Sequence, residues 1–449
     1  MKKLMVIFLL MLSVMSFAQE HKIPGTGSQG TLEGGFGMTW IDGAPAYAFR
    51  ARPDVSFGKF GLGLDINLEF TADGKIRTEN FNTTSDYLAL IRYLRYGSKN
   101  DDVYVQVGSI DDYTLGHGSI MYYYSNSASL DNKKIGLAFD LNMDKWGVES
   151  IYSDFSEKGI AAVRGYVKPL QFTSANSIPI ISNIEVGASY AADMNTYAGV
   201  YSGTTDPVTK KFKAISDKGN IKIMGADIGL PIFKGSVASL NLYFDYTKIV
   251  DFGDGKSAGM LFALNGMGIV NASLKFERRD NSAHYISQYF SGLYEIERFK
   301  FDSGVVKSGV SRLNAVKEAK GGYFGSLLVD VAHLINAYGS YQRLDADPNS
   351  GTLRLQAEAA PTQVPMVARA GFDKSNIRGE KDMFVLDDRS SMYAELGYKP
   401  YSYLLVSMVY QWTFTPVRDN NDPKGNVIGF KPQKRVEPRV TFVYPFGGK

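Results

Sequence analysis

The chain has 449 residues, and its 49 Lys and Arg nearly balance its 46 Asp and Glu, so it offers no broad electrostatic footprint for nucleic acid. It contains no Cys, which excludes disulfides, thiolate zinc sites and thiol nucleophiles. The hydrophobic content of 44% argues against global disorder, while 46 Gly, 28 Tyr and 27 Phe suit strands, interfaces and tight turns.

Residues 1–18 have the pattern of a secretory signal. Lys2 and Lys3 precede an apolar run from Leu4 to Val14, and small residues occupy the −3 and −1 positions of a cleavage site after Ala18. The alternative, an N-terminal membrane anchor, would need about 18 apolar residues, more than this run contains. The sequence therefore predicts an exported protein. No later stretch is apolar enough for a membrane-spanning helix.

Period-two alternation recurs along most of the remaining chain. Residues 60–70 place six apolar side chains on one face and Gly61, Gly63, Asp65, Asn67 and Glu69 on the other. A tight connection at residues 58–59 joins this segment to a similar one at 47–57, as in a hairpin. The same alternation occurs at 237–248, 269–277, 351–359 and 403–414. Further candidate strands are 31–41, 102–109, 133–142, 145–154, 159–168, 183–192, 220–230, 257–266, 322–331, 334–343, 365–373, 391–400 and 434–446, with 86–96 and 119–124 less clear.

Three features separate these segments from the strands of a soluble sandwich. They run for about 9–12 residues, near the length of a tilted membrane strand, whereas soluble strands typically have about 5–6. Many end in aromatic residues, as the girdles of membrane barrels do. Charged residues lie in mid-strand on the polar face only. The sequence therefore predicts an all-β fold: a single transmembrane antiparallel up-and-down β-barrel of about 16–20 strands, with eighteen as the best even number.

This barrel would occupy residues 19–446 as one domain, followed by a short tail at 447–449. Its largest connection, 280–321, is rich in aromatic residues, including Tyr285, Tyr289, Phe290, Tyr294 and Phe299. Such a loop could fold into the pore mouth and constrict it. The alternative is a disordered surface loop, but disordered segments contain few aromatic residues.

The polar face of the strands supplies the candidate functional residues. By strand parity, the residues predicted to line the lumen are Arg50, Arg52, Asp65, Glu69, Asp245, Lys275, Glu277, Arg354, Glu358, Glu437 and Arg439. Their signs are mixed, so they do not form a filter of one charge. Two interpretations remain open: an ion-pair network that braces or closes the lumen, and a transverse field across a water-filled constriction.

No catalytic, cofactor or metal site is predicted. The four histidines do not have the spacing of a metal site. His117, between Gly116 and Gly118, could be a pore-mouth ligand or a metal contact, but a loop histidine held by backbone bonds is the favoured interpretation. A barrel phospholipase would be the enzyme to consider, but the sequence shows no nucleophile elbow, so we expect no enzymatic activity. Acidic clusters such as 419–422 are interpreted as turns, since Asp and Asn are common turn formers.

The final segment, KRVEPRVTFVYPF at 434–446, resembles the C-terminal strand of Gram-negative outer-membrane β-barrel proteins. In that family the strand carries an assembly signal, which the resemblance places at Phe442, Tyr444 and Phe446. Here Pro445 interrupts the signal, and Gly447-Gly448-Lys449 follow it. A second, shorter resemblance, at 92–118, is to the strand–loop pattern of porin-like channels. Together they imply a porin-like superfamily member.

The expected function is a porin-like channel in the cell outer membrane for passive diffusion of small polar solutes. The expected partners are outer-membrane lipids, the barrel assembly machinery and those solutes, with no nucleic acid and no cofactor. The alternative is a structural or accessory outer-membrane barrel with a filled lumen, serving adhesion or a secretion assembly. The oligomeric state is left open.

Overall fold

The computed structural model describes residues 30–78, 81, 87–99, 101–265, 269–332, 334–345, 349–359, 364–422 and 425–446, without the side chains of 30–32 and 444–446. The predicted signal segment at 1–18 and the tail at 447–449 therefore lie outside the described residues, as do His21 and His333.

The described chain consists mainly of β-strands. Their bounds are β1 Gly30–Ile41, β2 Ala44–Ala51, β3 Asp54–Phe57, β4 Phe60–Leu64, β5 Ile66–Thr71, β6 Ile91–Tyr96, β7 Val103–Gly108, β8 Gly136–Asn142, β9 Trp146–Tyr152, β10 Ile160–Val167, β11 Glu185–Asp193, β12 Val200–Thr205, β13 Phe212–Asp217, β14 Ile221–Lys234, β15 Ala238–Ile249, β16 Asp254–Leu264, β17 Val270–Asn281, β18 Phe299–Asp302, β19 Val305–Ser308, β20 Lys320–Val331, β21 Ile335–Leu344, β22 Gly351–Ala359, β23 Met366–Ile377, β24 Ser390–Tyr401, β25 Leu404–Arg418 and β26 Val427–Phe446.

Helices are few and short in the described residues. There are two α-helical turns, α1 at Tyr294–Glu297 and α2 at Gly309–Ala315. The 3₁₀ turns are Pro169–Phe172, Ser174–Ser177, Ile181–Asn183, Glu380–Asp382 and Asp419–Asn421. Within the described ranges, none of the helices has the length and apolar character needed to cross a membrane.

One antiparallel sheet contains 22 of the strands, and neighbours along the chain are neighbours in it. Separate two-stranded sheets are formed by β12 with β13 and by β18 with β19. The first strand pairs with β2 on one side and with the last strand, β26, on the other. The predicted all-β, antiparallel, up-and-down order is thus observed. The predicted count of eighteen strands is not confirmed.

In the first hairpin, both strands are interrupted at the same height. β2 pairs with β5 and β3 pairs with β4, so β2–β3 and β4–β5 are the two arms of one hairpin. Pro53, which has no N–H to donate, lies at the break in the first arm, and Asp65 forms the break in the second. The N–H of Asp65 instead donates to the carbonyl of Leu90 at 2.8 Å. These breaks place Arg52 and Asp65 side by side.

The two faces of the sheet have opposite polarity. In β15, Leu242, Phe244 and Tyr246 are 37–43% exposed, whereas Asp245 and Thr247 are each 4% exposed. Charged side chains are seldom buried unless they are paired, so a face with buried charges and exposed apolar side chains inverts the usual arrangement. We call the face with the buried polar side chains the inner face and the other the outer face.

Two connections pack against the inner face. We call them inner segment A, residues 109–135 between β7 and β8, and inner segment B, residues 282–319 between β17 and β20. They touch through a parallel bridge between Met121 and Phe290, where the N–H of Phe290 donates to the carbonyl of Ile120 at 3.1 Å. The aromatic residues of segment B are buried, with Tyr289 and Phe290 at most 1% exposed. The largest hydrophobic cluster joins both segments to inner-face residues of β8–β15.

Two expectations about single elements are wrong. Residues 119–124, an unclear candidate strand, belong to inner segment A rather than to the sheet. Tyr122 and Tyr123 pack on Phe324 and Tyr338 of the inner face, and Tyr124 packs against segment B. The candidate strands 403–414 and 434–446 are too short, since β25 continues to Arg418 and β26 starts at Val427. The polar residues between the two candidates mostly belong to these paired strands, so polarity alone misplaced the strand ends.

Candidate functional site

The eleven charged residues predicted to line the lumen are all at least partly buried. Glu69, Asp245, Lys275, Glu277 and Glu437 are buried. The others are partly buried, namely Arg50, Arg52, Asp65, Arg354, Glu358 and Arg439. Each of them has an oppositely charged or hydrogen-bonding partner on the inner face or in segment A. Buried charges need such partners, since an isolated one would be very costly.

Four of the predicted residues come together where β26, β1, β2 and β5 adjoin. Arg50 bonds Glu437 at 2.7 and 2.9 Å and Glu69 at 3.3 Å. Arg439 bonds Glu437 at 2.9 Å. These residues come from opposite ends of the chain and meet because β1 pairs with both β2 and β26.

Three residues that the sequence analysis missed extend this network. Arg435 bonds Glu69 at 2.6 Å and Asp131 at 2.8 Å, and Arg77 bonds the same two acids at 3.1 and 2.8 Å. Burial would raise the pKa of Asp131, but the charges of Arg435 and Arg77 outweigh it and lower that pKa to about 2. Asp131 therefore anchors segment A to the inner face as a carboxylate.

A second group surrounds Lys275 and Glu277 on β17. Lys275 is 2.8 Å from Glu277, which also accepts from Tyr243 at 2.7 Å and from Arg279 at 2.7 Å. Lys275 donates in addition to the carbonyl of His117 in segment A. The strand parity that predicted Lys275 and Glu277 also places Arg279, two residues further, on the same face.

His117 lies against the inner face rather than in solvent. Its Nδ1 is 2.8 Å from Asp245, and its ring stacks on Tyr243 with centroids 4.2 Å apart. The flanking glycines have positive φ values, +56° at Gly116 and +92° at Gly118, which other residues rarely adopt. The favoured interpretation, a loop histidine held by backbone bonds, does not describe the ring, because the partner of its Nδ1 is a side-chain carboxylate.

Among the residues that the structure describes, His117, Asp227 and Asp245 could hold a metal ion, because one ligand atom from each lies within 4.8 Å of the others. Asp227, however, accepts two bonds from Arg164, at 2.6 and 2.9 Å. Asp245 accepts from Ser119 and shares a bond with His117. Their geometry is that of a hydrogen-bonded ion-pair network. Ser119 bonds the carboxylate and not the imidazole, which differs from a hydrolase triad.

The remaining predicted residues lie in three separate places. Arg52 and Asp65 pair at 3.1 Å, and Lys133 of segment A is 2.6 Å from Asp65. Arg354 reaches Asp112 of segment A at 2.6 Å. Glu358 is 3.3 Å from Arg369 on the next strand. The structure thus distributes the predicted set over several networks, most of which join the sheet to segment A.

Inner segment B is held by a network that the sequence analysis did not predict. Arg298 bonds Glu295 at 2.6 and 2.8 Å and Asp193 of β11 at 2.6 Å. Lys134 of segment A bonds Glu295 at 2.7 Å, and so does Tyr124 at 2.6 Å. Burial would raise the pKa of Glu295, but the charges of Arg298 and Lys134 lower it to about 2. Glu295 therefore joins the two segments, and Arg298 joins them to Asp193 of the sheet.

Between the sheet and the segments lie cavities with charged walls. One of them has a volume of about 120 Å³. Five cationic and three acidic side chains are among its lining residues, namely Arg50, Arg52, Lys133, Arg354 and Arg439 with Glu33, Asp65 and Asp373. Two neighbouring cavities have volumes of about 50 and 20 Å³. All three exceed the roughly 10–15 Å³ that one water molecule needs, so this interior can be hydrated.

The predicted assembly signal lies on the last strand. The described side chain of Phe442 is 54% exposed on the outer face. The side chains of Tyr444 and Phe446 lie outside the described residues, although the backbone of this strand pairs with β1 as far as Phe446.

No family model matches the chain, and no curated protein matches its sequence. Solved structures give partial likenesses. The outer membrane protein OpdK of Pseudomonas aeruginosa has 9% identity and a TM-score of 0.31, with 94% of this chain and 99% of that chain covered. OccK5 (OpdH) of the same organism has 10% identity, a TM-score of 0.35 and coverage of 94% and 98%. OccK2 (OpdF), solved in complex with glucuronate, has 10% identity, a TM-score of 0.32 and coverage of 95% and 100%.

Proposed function

We propose that this chain is a porin-like channel of the Gram-negative cell outer membrane, through which small polar solutes diffuse passively. The observation that carries the proposal is the inverted polarity of the sheet: apolar side chains are exposed on the outer face, and charged side chains surround cavities on the inner face. In this proposal residues 1–18 are removed on export, and residues 19–446 form one closed transmembrane barrel.

The outer face supports contact with lipid. Along β25 and β26, side chains such as Val406, Met408, Val440 and Phe442 are 41–54% exposed. Contiguous apolar patches of this kind mark membrane or protein contacts, and membrane barrels carry them as a band around the wall. We therefore propose outer-membrane lipids as partners of this face.

The inner face supports passage of polar solutes. The cavity of about 120 Å³ is lined by charges of both signs, with Arg50, Arg354 and Arg439 on the sheet and Lys133 on segment A. Charged rims attract ions of opposite sign and replace part of their hydration. With five cationic against three acidic lining residues, we propose that small anions enter this cavity more readily than cations.

The last strand is the basis for proposing recognition by the barrel assembly machinery. Phe442 faces outward, and β26 pairs with β1. We propose Phe442, Tyr444 and Phe446 as the signal which that machinery recognises.

A second candidate, the structural or accessory barrel with a filled lumen, is favoured by one observation: segments A and B pack against the inner face and are tied to the sheet by buried ion pairs. In that case the cavities would be isolated hydration sites. For either candidate we propose no enzymatic activity, since Ser119 bonds Asp245 instead of His117.

Single-channel recording separates these candidates. Purified protein inserted into a planar lipid bilayer should give discrete conductance steps. Under a salt gradient, the sign of the reversal potential should show that anions permeate more readily than cations. The protein purified in the same detergent but unfolded before addition is the control. A folded, inserted protein without any conductance would contradict the channel and support the filled barrel.

A further inference from the structure

One ion pair lies where the three interior cavities meet. Asp65, Leu130 and Lys133 line each of the cavities of about 120, 50 and 20 Å³. The Nζ atom of Lys133 is 2.6 Å from Oδ2 of Asp65. Movement between these cavities would therefore pass this contact.

The two residues come from different parts of the fold. Asp65 belongs to the sheet, at the break between β4 and β5, whereas Lys133 belongs to inner segment A. Segment A is fixed close by, because Asp131 is held by Arg77 and Arg435. The backbone on both sides of the contact is therefore anchored, and only the side chain of Lys133 needs to move to break it.

Breaking the contact would not leave Asp65 without a partner. Arg52 stays at 3.1 Å from the same carboxylate. The Lys133 and Asp65 side chains are 23% and 15% exposed, so water reaches both. Water that reaches a partly exposed pair offsets part of the lost attraction, so this pair breaks at a lower cost than a fully buried one.

The next residue shows the opposite case. The side chain of Lys134 is 9% exposed and lies between Glu295 at 2.7 Å and Asp154 at 3.3 Å. Its release would leave two carboxylates of a buried network short of a cation, which is costly. Adjacent lysines in segment A thus differ: Lys134 is fixed, and Lys133 can exchange.

We propose that the Lys133–Asp65 ion pair is a gate between the cavities, closed when Lys133 bonds Asp65 and open when Lys133 leaves it. The inference rests on the proposed channel function and adds the position of its barrier. Arg52 holds the carboxylate during opening, so it acts as a positioning residue.

The test is conductance of side-chain variants in planar bilayers. Lys133→Ala removes both the charge and the bulk and should raise the conductance several-fold. Asp65→Asn removes the attraction and should increase the frequency of opening. Because both act on one contact, the double variant should match Lys133→Ala instead of adding the two effects. Each variant is first checked for native strand content by circular dichroism.

Lys99→Ala is the matched control. Lys99 forms a similar partly buried pair with Asp140, at 3.0 Å and with a lysine side chain 27% exposed, but it is absent from the lining of the three cavities. Its removal should leave the conductance unchanged. Equal effects of Lys99→Ala and Lys133→Ala would overturn the gate.

A cross-link gives an independent measurement if a substitution disturbs folding. The chain has no Cys, so Asp65→Cys with Lys133→Cys introduces the only two thiols. A short reagent that joins both thiols should reduce the conductance below that of the untreated variant. If the wild-type protein conducts and the variants have the same conductance, the gate is wrong but the channel function stands. Absence of conductance in the wild type and in every variant would overturn the channel function with it.

Discussion

Glu295→Gln should lower the free energy of unfolding by about 3–5 kcal/mol, because removal of one member of a buried ion network leaves the others uncompensated. Glu295 is 5% exposed and bonds both Arg298 and Lys134. The glutamine keeps the shape of the side chain but not its charge, so two buried cations would share the remaining acids. Denaturant titration in detergent micelles measures the loss. Hydrogen exchange should show it first in segment B.

The pH dependence of the free energy of unfolding also tests the contribution of the Glu295 carboxylate. The pKa of Glu295 is about 2 in the folded protein against an ordinary value of 4.5. A lowered folded pKa means that the carboxylate contributes its full stability above about pH 4.5, and that this contribution is lost as the pH falls toward 2. The difference in stability between the wild type and Glu295→Gln should therefore shrink over that interval.

Glu318→Gln is the control for this prediction. Glu318 also pairs with a lysine, Lys320 at 2.7 Å, but its side chain is 74% exposed. Exposed pairs contribute about 0–1 kcal/mol, so the free energy of unfolding should change little. Equal losses in the two variants would contradict the role of the buried network.

Strand parity explains why the polar face could be predicted from sequence. Successive side chains of a strand point to opposite faces, so Arg50 and Glu69 could be assigned from their own segments without knowledge of their partners. The assignment of Lys275 and Glu277 followed in the same way. Parity cannot identify the ion-pair partner of a residue, because the partner can be distant in sequence: Arg50 bonds Glu437, which is 387 residues further along the chain.

The inner segments mark the limit of that reasoning. Asp131 lies in a stretch with no period of two, which looks like an exposed loop, and Lys134 lies near the start of the candidate strand 133–142. Neither position indicates its partner, yet they bond Arg435 and Glu295 at separations of 304 and 161 residues. The density of aromatic residues in 280–321 did indicate packing, and Tyr289 and Phe290 are buried. The corresponding signal in segment A, the run from Tyr122 to Tyr124, was interpreted as a strand because tyrosine is common in both settings.

Leu242→Arg should impair insertion into lipid at a cost of about 2–4 kcal/mol, if the residue lies near the middle of the membrane. Leu242 lies within β15, is 40% exposed on the outer face and pairs with Leu230 and Met260. Its neighbours are apolar, so an arginine there would enter hydrocarbon without a counter-ion. The measurement is the folded fraction after refolding into lipid vesicles. Leu274→Arg, on β17, should behave in the same way.

Val208→Arg separates the effect of position from that of an added charge. Val208 is 86% exposed but lies in the connection between β12 and β13, outside the large sheet. An arginine there stays in water, so refolding into vesicles should match that of the wild type. Tolerance of arginine at both Leu242 and Leu274 would mean that the outer face does not meet lipid. The apolar band would then have to be covered by protein, and the membrane barrel itself would be wrong.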